Sequence, residues 1–191
     1  LSNFLTKLGY EKNAKLLFLN KRTCGIWLIW VSLVILLSTI FGGEQKIHQG
    51  IFYVGYFAGL FITVGNKALI RKFSYGSPSK FQKKMSIFSI IFMFVLLVLI
   101  GGPYFGVHNY RMIWLGAFLA IGLHFFPFAV VHGKSMIALG MLASINALIG
   151  ILNSSIPFYV IAYIDVILKA IFGFILLFSK NPLQTTSRIQ M

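Results

Sequence analysis

The sequence predicts an all-α polytopic membrane protein: a bundle of six transmembrane helices preceded by an N-terminal amphipathic interfacial helix. Three observations predict it. The chain is 58% hydrophobic, with a mean hydropathy of +0.87. Charged residues make up only 10%, against roughly 25% in a soluble domain, so a soluble fold would lack the polar side chains to cover its surface. The apolar residues also fall in six long runs, each near the ~20 residues that a helix needs to cross a bilayer. Those runs are continuously apolar, which excludes a membrane β-barrel built from shorter, alternating strands.

Taken in order, residues 1–22 place Leu1, Phe4, Leu5 and Leu8 at helical spacing, with Lys7, Glu11, Lys12 and Lys15 elsewhere. This pattern predicts a short helix lying on the membrane surface; a basic tail that only fixes topology is the plainer alternative. No small-residue cleavage site marks a signal peptide. The transmembrane domain spans residues 23–180, with apolar runs at 25–41, 50–68, 85–100, 112–131, 136–152 and 157–178. Residues 181–191 form a cytoplasmic tail.

The connections set the orientation. Lys7, Lys12, Lys15, Lys21 and Arg22 precede the first run, and the second loop holds Lys67, Arg71, Lys72, Lys80, Lys83 and Lys84. Lys134 is in the fourth loop, and Lys180 and Arg188 follow the last run. The odd-numbered loops hold only Lys46 and Arg111. Basic loops stay in the cytoplasm, so both termini are expected there, in a multi-pass protein of the cell membrane. This topology accounts for the net charge of +14 without a nucleic-acid partner. In the second loop, Gly76 and Pro78 mark a turn, and Lys72, Lys80, Lys83 and Lys84 can touch anionic lipid headgroups. The third loop, with Tyr104, Phe105, Tyr110 and nearby Trp114, has the composition of an interfacial aromatic belt.

Polar residues inside the runs locate a candidate site. The whole chain has three acids, and only Asp165 lies within an apolar run; Lys169 follows it by one helical turn. Ionisable residues at membrane depth usually face a protein interior or a water-filled cavity. Four runs place polar and small residues on one helical stripe: Gly55, Gly59, Thr63 and Asn66; Ala117, Ala120 and His124; Ala143, Asn146 and Gly150; Ala162, Asp165, Lys169 and Gly173. Small residues let helix backbones approach, so these stripes predict the packing faces. At ~1.5 Å of rise per residue, Asp165, His124, Lys169 and Asn146 lie roughly 10–20 Å from the outer ends of their helices. They are expected to form one buried network, serving either as a binding or transport pathway or as internal glue.

Other chemistries find little material. Cys24 is the one cysteine, which excludes an intramolecular disulfide and a multi-cysteine metal site. Gly133-Lys134-Ser135 lacks the first glycine of a phosphate-binding loop, because Phe128 stands there. Cys24 with His132 is a weak match to a cysteine nucleophile and its base, and Glu44, His48 and His108 are the remaining conceivable metal ligands. The sequence therefore predicts no enzyme, no cofactor and no metal.

The phrases Arg111-Met-Ile-Trp-Leu-Gly116, His124-Phe-Phe-Pro-Phe128, Val131-His-Gly-Lys-Ser-Met136 and Ile164-Asp-Val-Ile-Leu-Lys169 with Gly173 together resemble a group of small multi-span membrane proteins from Gram-positive bacteria that has no assigned function. The likeness runs from about Cys24 to Pro182. It implies a bacterial cytoplasmic membrane and carries no catalytic residues across. Two functional classes follow: a small permease, channel or proton-coupled carrier with an intramembrane polar centre, or a non-transporting accessory, immunity or stress protein whose buried charges are structural. A homo-oligomer or a membrane partner fits either.

Overall fold

The computed structural model describes Gly9 and residues 16–183. These residues form seven α-helices and no strand: α1 (Lys21–Ile40), α2 (Gln49–Gly59), α3 (Lys67–Phe73), α4 (Lys80–Leu96), α5 (Tyr110–His132), α6 (Ser135–Leu152) and α7 (Phe158–Leu177). The segment expected to be an interfacial helix and the tail beyond Leu183 lie almost wholly outside the described residues.

The count corrects the expectation of six helices. Five helical segments are long and apolar enough to cross a membrane, or six if α2 and α3 are one bent span. The second apolar run breaks because its C-terminal end cannot continue as a straight helix. After Gly59 the backbone widens into a π-turn over Leu60–Val64. There the Thr63 hydroxyl donates to the Gly59 carbonyl at 2.8 Å, a back-bond that bends helices. Asn66 then adopts extended backbone, and its side-chain oxygen accepts the amides of Ala68 and Leu69 at 3.0 and 3.1 Å. That is an N-cap, which satisfies otherwise orphaned donors and starts a new helix. α3 leaves at 62°. The proposed stripe therefore ends at Thr63, and Asn66 is an exposed cap.

The α4 start is a capping box of Ser79 and Gln82. Beyond Leu96, α4 continues through a π-turn at Leu97–Gly101 and a 3-10 turn at Gly102–Tyr104. Asn109 caps α5 by accepting the Met112 amide at 3.2 Å. Pro127 sits inside α5, which runs on to His132.

The most extensively packed helix pairs are α1 with α7 and α5 with α6. Glycine makes both approaches possible. A β-carbon on Gly25 would lie 2.5 Å from the Gly173 carbonyl oxygen, and one on Gly122 2.8 Å from the Ser144 amide nitrogen. These four helices enclose a core of Ile35, Leu115, Phe118, Ala147, Ile161 and Ala162. A second cluster toward the end where α1 begins and α7 ends holds Cys24, Leu28, Phe125, Met136, Leu139 and Leu176. α2 attaches to α1, where the Trp30 indole donates to the Gly55 carbonyl at 2.8 Å, and α4 attaches to α5.

The outward surface is apolar. Phe61 is 76% exposed and Val98 70%, and Ile87, Phe88, Ile91, Phe94 and Leu99 cover the outer face of α4 and its extension. Soluble monomers rarely leave such extended apolar surface open. Trp114 departs from the aromatic-belt reading. It is 7% exposed and its indole donates to the Gln45 carbonyl at 3.1 Å, so it pins the α1–α2 loop to the bundle.

The Gly25–Gly173 contact is backbone against backbone and has no slack. Gly25→Ala is expected to lower the thermal midpoint in detergent strongly. Gly106→Ala, where an added β-carbon meets nothing within 4 Å, should leave it nearly unchanged. Overpacking of a tight contact costs about 1–3 kcal/mol. Equal midpoints for the two variants would refute the assignment of this crossing.

Candidate functional site

α7 is uniformly apolar on one side. Ile164, Ile167, Ile171 and Phe174 point outward, while Ala162, Asp165, Lys169 and Gly173 are buried. The helix is thus rotated so that its two charges enter the bundle. Asp165 is 0% exposed and Lys169 1%. The Lys169 ammonium donates to both oxygens of the Asp165 carboxylate. An acid placed four residues before a lysine is the favourable helical order. Away from water, each charge would be very costly without the other.

The pair is roofed by α5. The Lys169 ammonium lies 5.6 Å from the centre of the Phe118 ring, within cation–π range. Phe118 in turn stacks on Phe158 at the start of α7, with ring centres 5.9 Å apart. His124, two turns along α5 from Ala117, is buried between Phe125 and Phe128. Its Nδ1 lies 2.5 Å from the Ile121 carbonyl oxygen, a geometry in which Nδ1–H donates and Nε2 is left as an acceptor. Asn146 reaches from α6 to α7, donating to the Ile161 carbonyl at 2.9 Å. Ile161 is four residues before Asp165, so Asn146 braces the turn of α7 that carries the acid.

All four candidate residues are buried, and they do not form a continuous hydrogen-bonded network. Among the described residues, neither His124 nor Asn146 hydrogen-bonds the Asp165–Lys169 pair. The candidate packing residues sit at close contacts: Gly55 against Val34, Gly59 against Trp30, Gly150 against Leu115 and Ile161, and Gly173 against Gly25 and Ile29. Ala143 is fully buried.

Three tethering residues escaped the reading of the sequence. Arg22 donates to the Leu177 carbonyl at 3.1 Å and the Tyr75 hydroxyl at 3.2 Å. Gln82 bridges the Leu17 and Val130 carbonyls at 3.1 and 3.2 Å. Arg111 donates to the carbonyls of Gly150, Asn153 and Ile156 at 2.8, 3.1 and 2.9 Å, closing the C-terminal end of α6. A signal existed for two of them: Ser79-x-x-Gln82 is a capping box, and Arg111 is a cation on the side where cations are scarce.

Cys24 is buried in an apolar cluster. His48 caps α2 by accepting the Ile51 amide at 3.3 Å. Among the described residues, no group of three His, Cys, Asp or Glu side chains is placed to hold a metal ion. Lys72, Lys80, Lys83 and Lys84 are exposed together at the α3–α4 end.

Fold and site define an all-helical bundle with apolar helices of membrane-crossing length and, among the described residues, one ion pair sealed in its core. The chain belongs to a family of unknown function, DUF6609, whose profile matches residues 11–186. No curated protein and no solved structure matches it.

Breaking the pair one charge at a time should strand the other. Asp165→Asn and Lys169→Met are each expected to destabilise by about 3–5 kcal/mol. The double variant should lose clearly less than the sum. Thermal unfolding of the four proteins in one detergent checks this, and strict additivity would show that the charges do not support each other.

Proposed function

We propose that this chain is a six-pass protein of a Gram-positive cell membrane, with both termini cytoplasmic, and that it works as a small proton-coupled carrier caught in an occluded state. The observation that carries the reading is the Asp165–Lys169 pair sealed in the core, in a bundle that also buries His124. Two opposite charges and an imidazole at mid-helix depth are costly to keep in a membrane bundle, and such groups serve proton relays and substrate sites. A proton placed on Asp165 would neutralise its carboxylate, release the Lys169 ammonium and leave one net positive charge in the core. That change can bias the bundle between two packings. The closely packed glycine crossings of α1 with α7 and α5 with α6 suit rigid helices that move as pairs. Lys72, Lys80, Lys83 and Lys84 would meet anionic headgroups of the inner leaflet.

One observation favours a second reading. Asp165 and Lys169 satisfy each other within a single helix and touch no solvent, which is also what a purely structural pair would do. The protein would then be a non-transporting accessory, immunity or stress protein. The broad apolar face of α4 would serve a second copy or a membrane partner.

The two readings differ in transport. Purified protein in liposomes, with trapped pyranine to report internal pH, is challenged with pools of amino acids, sugars and lipophilic cations. The carrier predicts proton movement with one pool and its loss in Asp165→Asn protein that is still folded. No movement with any pool would favour the accessory. Orientation is checked separately with single cysteines in a Cys24→Ser background. Cysteines at positions 72 and 134 should resist an impermeant reagent in intact cells, and cysteines at 48, 104 and 154 should react. Labelling at 72 from outside would overturn the orientation.

A further inference from the structure

At the end of the bundle where α1 ends and α7 begins, a cleft of about 380 Å³ is lined by Thr39, Gly43, Lys46, Arg111, Pro157, Phe158 and Tyr159. It is distinct from the Asp165 region. The charged side chains that line it, Lys46 and Arg111, are both basic, and Glu44 of the same loop is exposed and is not part of the lining. Among the described residues the only ion pair is Asp165–Lys169, so neither Lys46 nor Arg111 has a carboxylate partner. The guanidinium of Arg111 is held by three backbone carbonyls, which fix its position without neutralising its charge.

The walls are rigid where the cleft needs them. Ile47 is fully buried, Trp114 anchors Gln45, and the His48 amide donates to the Ser38 carbonyl at 2.7 Å. The loop carrying Lys46 is therefore pinned on both sides. Lys46 itself has a positive φ of 67°, a backbone region that non-glycine residues seldom occupy. The cleft also borders the start of α7, which has no acid in its first turn and no side-chain cap, so its free amides add to the positive potential.

We propose that this cleft binds an anionic phosphate group, held between Lys46 and Arg111. Lysine and arginine together suit a group with several charged oxygens. At the outer end of a membrane bundle the same chemistry comes from two sources: the headgroup of an anionic phospholipid, or a soluble phosphate.

The test uses the full chain purified in an uncharged detergent, with the thermal midpoint as readout. Inorganic phosphate is titrated in one arm. Phosphatidylglycerol is titrated in the other, with phosphatidylcholine as its control. Sodium chloride at matched ionic strength controls for general screening. At least one probe should raise the midpoint saturably. A response to phosphatidylglycerol alone assigns a lipid headgroup, and a response to inorganic phosphate assigns a soluble ligand. Because Arg111→Ala also uncaps α6, the diagnostic variant is Lys46→Gly. It removes the charge and suits the positive φ, so the unliganded midpoint should hold or rise. Half-saturation should shift roughly tenfold or more upward, as expected for loss of one charge-assisted contact. Lys72→Ala, at the other end of the bundle, should bind as the parent does. No saturable shift with either probe, or equal shifts in the parent and Lys46→Gly, would overturn the proposal.

Discussion

Asp165 and Lys169 can occupy the core only because they neutralise each other within one turn of one helix. Much of the arrangement follows from hiding that pair. α7 must turn its isoleucine stripe outward and its small residues inward, and the small residues then allow α1 to approach at Gly173. Phe118 of α5 reaches over the ammonium. Asn146 braces the preceding turn of α7 from α6. The four inner helices are thus organised around a charge pair that no other element neutralises.

The outer elements answer to a different constraint, which is the satisfaction of backbone groups at helix ends. Arg111 closes α6, Arg22 closes α7, Asn66 opens α3, and Ser79 with Gln82 opens α4. In an apolar surrounding, an unsatisfied amide or carbonyl is costly, and these side chains sit where chain ends would otherwise leave them. Arg111 shows how such a role overlaps with another. Its position is set by carbonyls, yet its charge remains free to act on the neighbouring cleft.

Much of the fold was legible because hydropathy and helix period are local properties. Five of the six apolar runs correspond to long apolar helices and the second to the bent pair of α2 and α3, and the stripe of Ala162, Asp165, Lys169 and Gly173 lies on one buried face. The break in the second run was not legible as a break. Asn66 continued the helical stripe in sequence, and only its cap geometry shows that the chain turns there. Trp114 was misread for a related reason. Its distance from the end of the run suited an interfacial ring, but the α1–α2 loop folds over it and buries it.

The sequence by itself determined the helical class, the placement of the charges at mid-helix, and the uneven sharing of cations between loops. Each of these depends on residue spacing along one chain. Tertiary structure alone decided which helices pair, that Asp165 bonds to Lys169 and not to His124 or Asn146, and that Lys46 and Arg111 face one cleft. The ion pair itself is local to one helical turn, but its burial, the helix pairing and the cleft depend on distances between segments far apart in the chain, set by where glycine lets two backbones touch and where an arginine finds the open end of another helix.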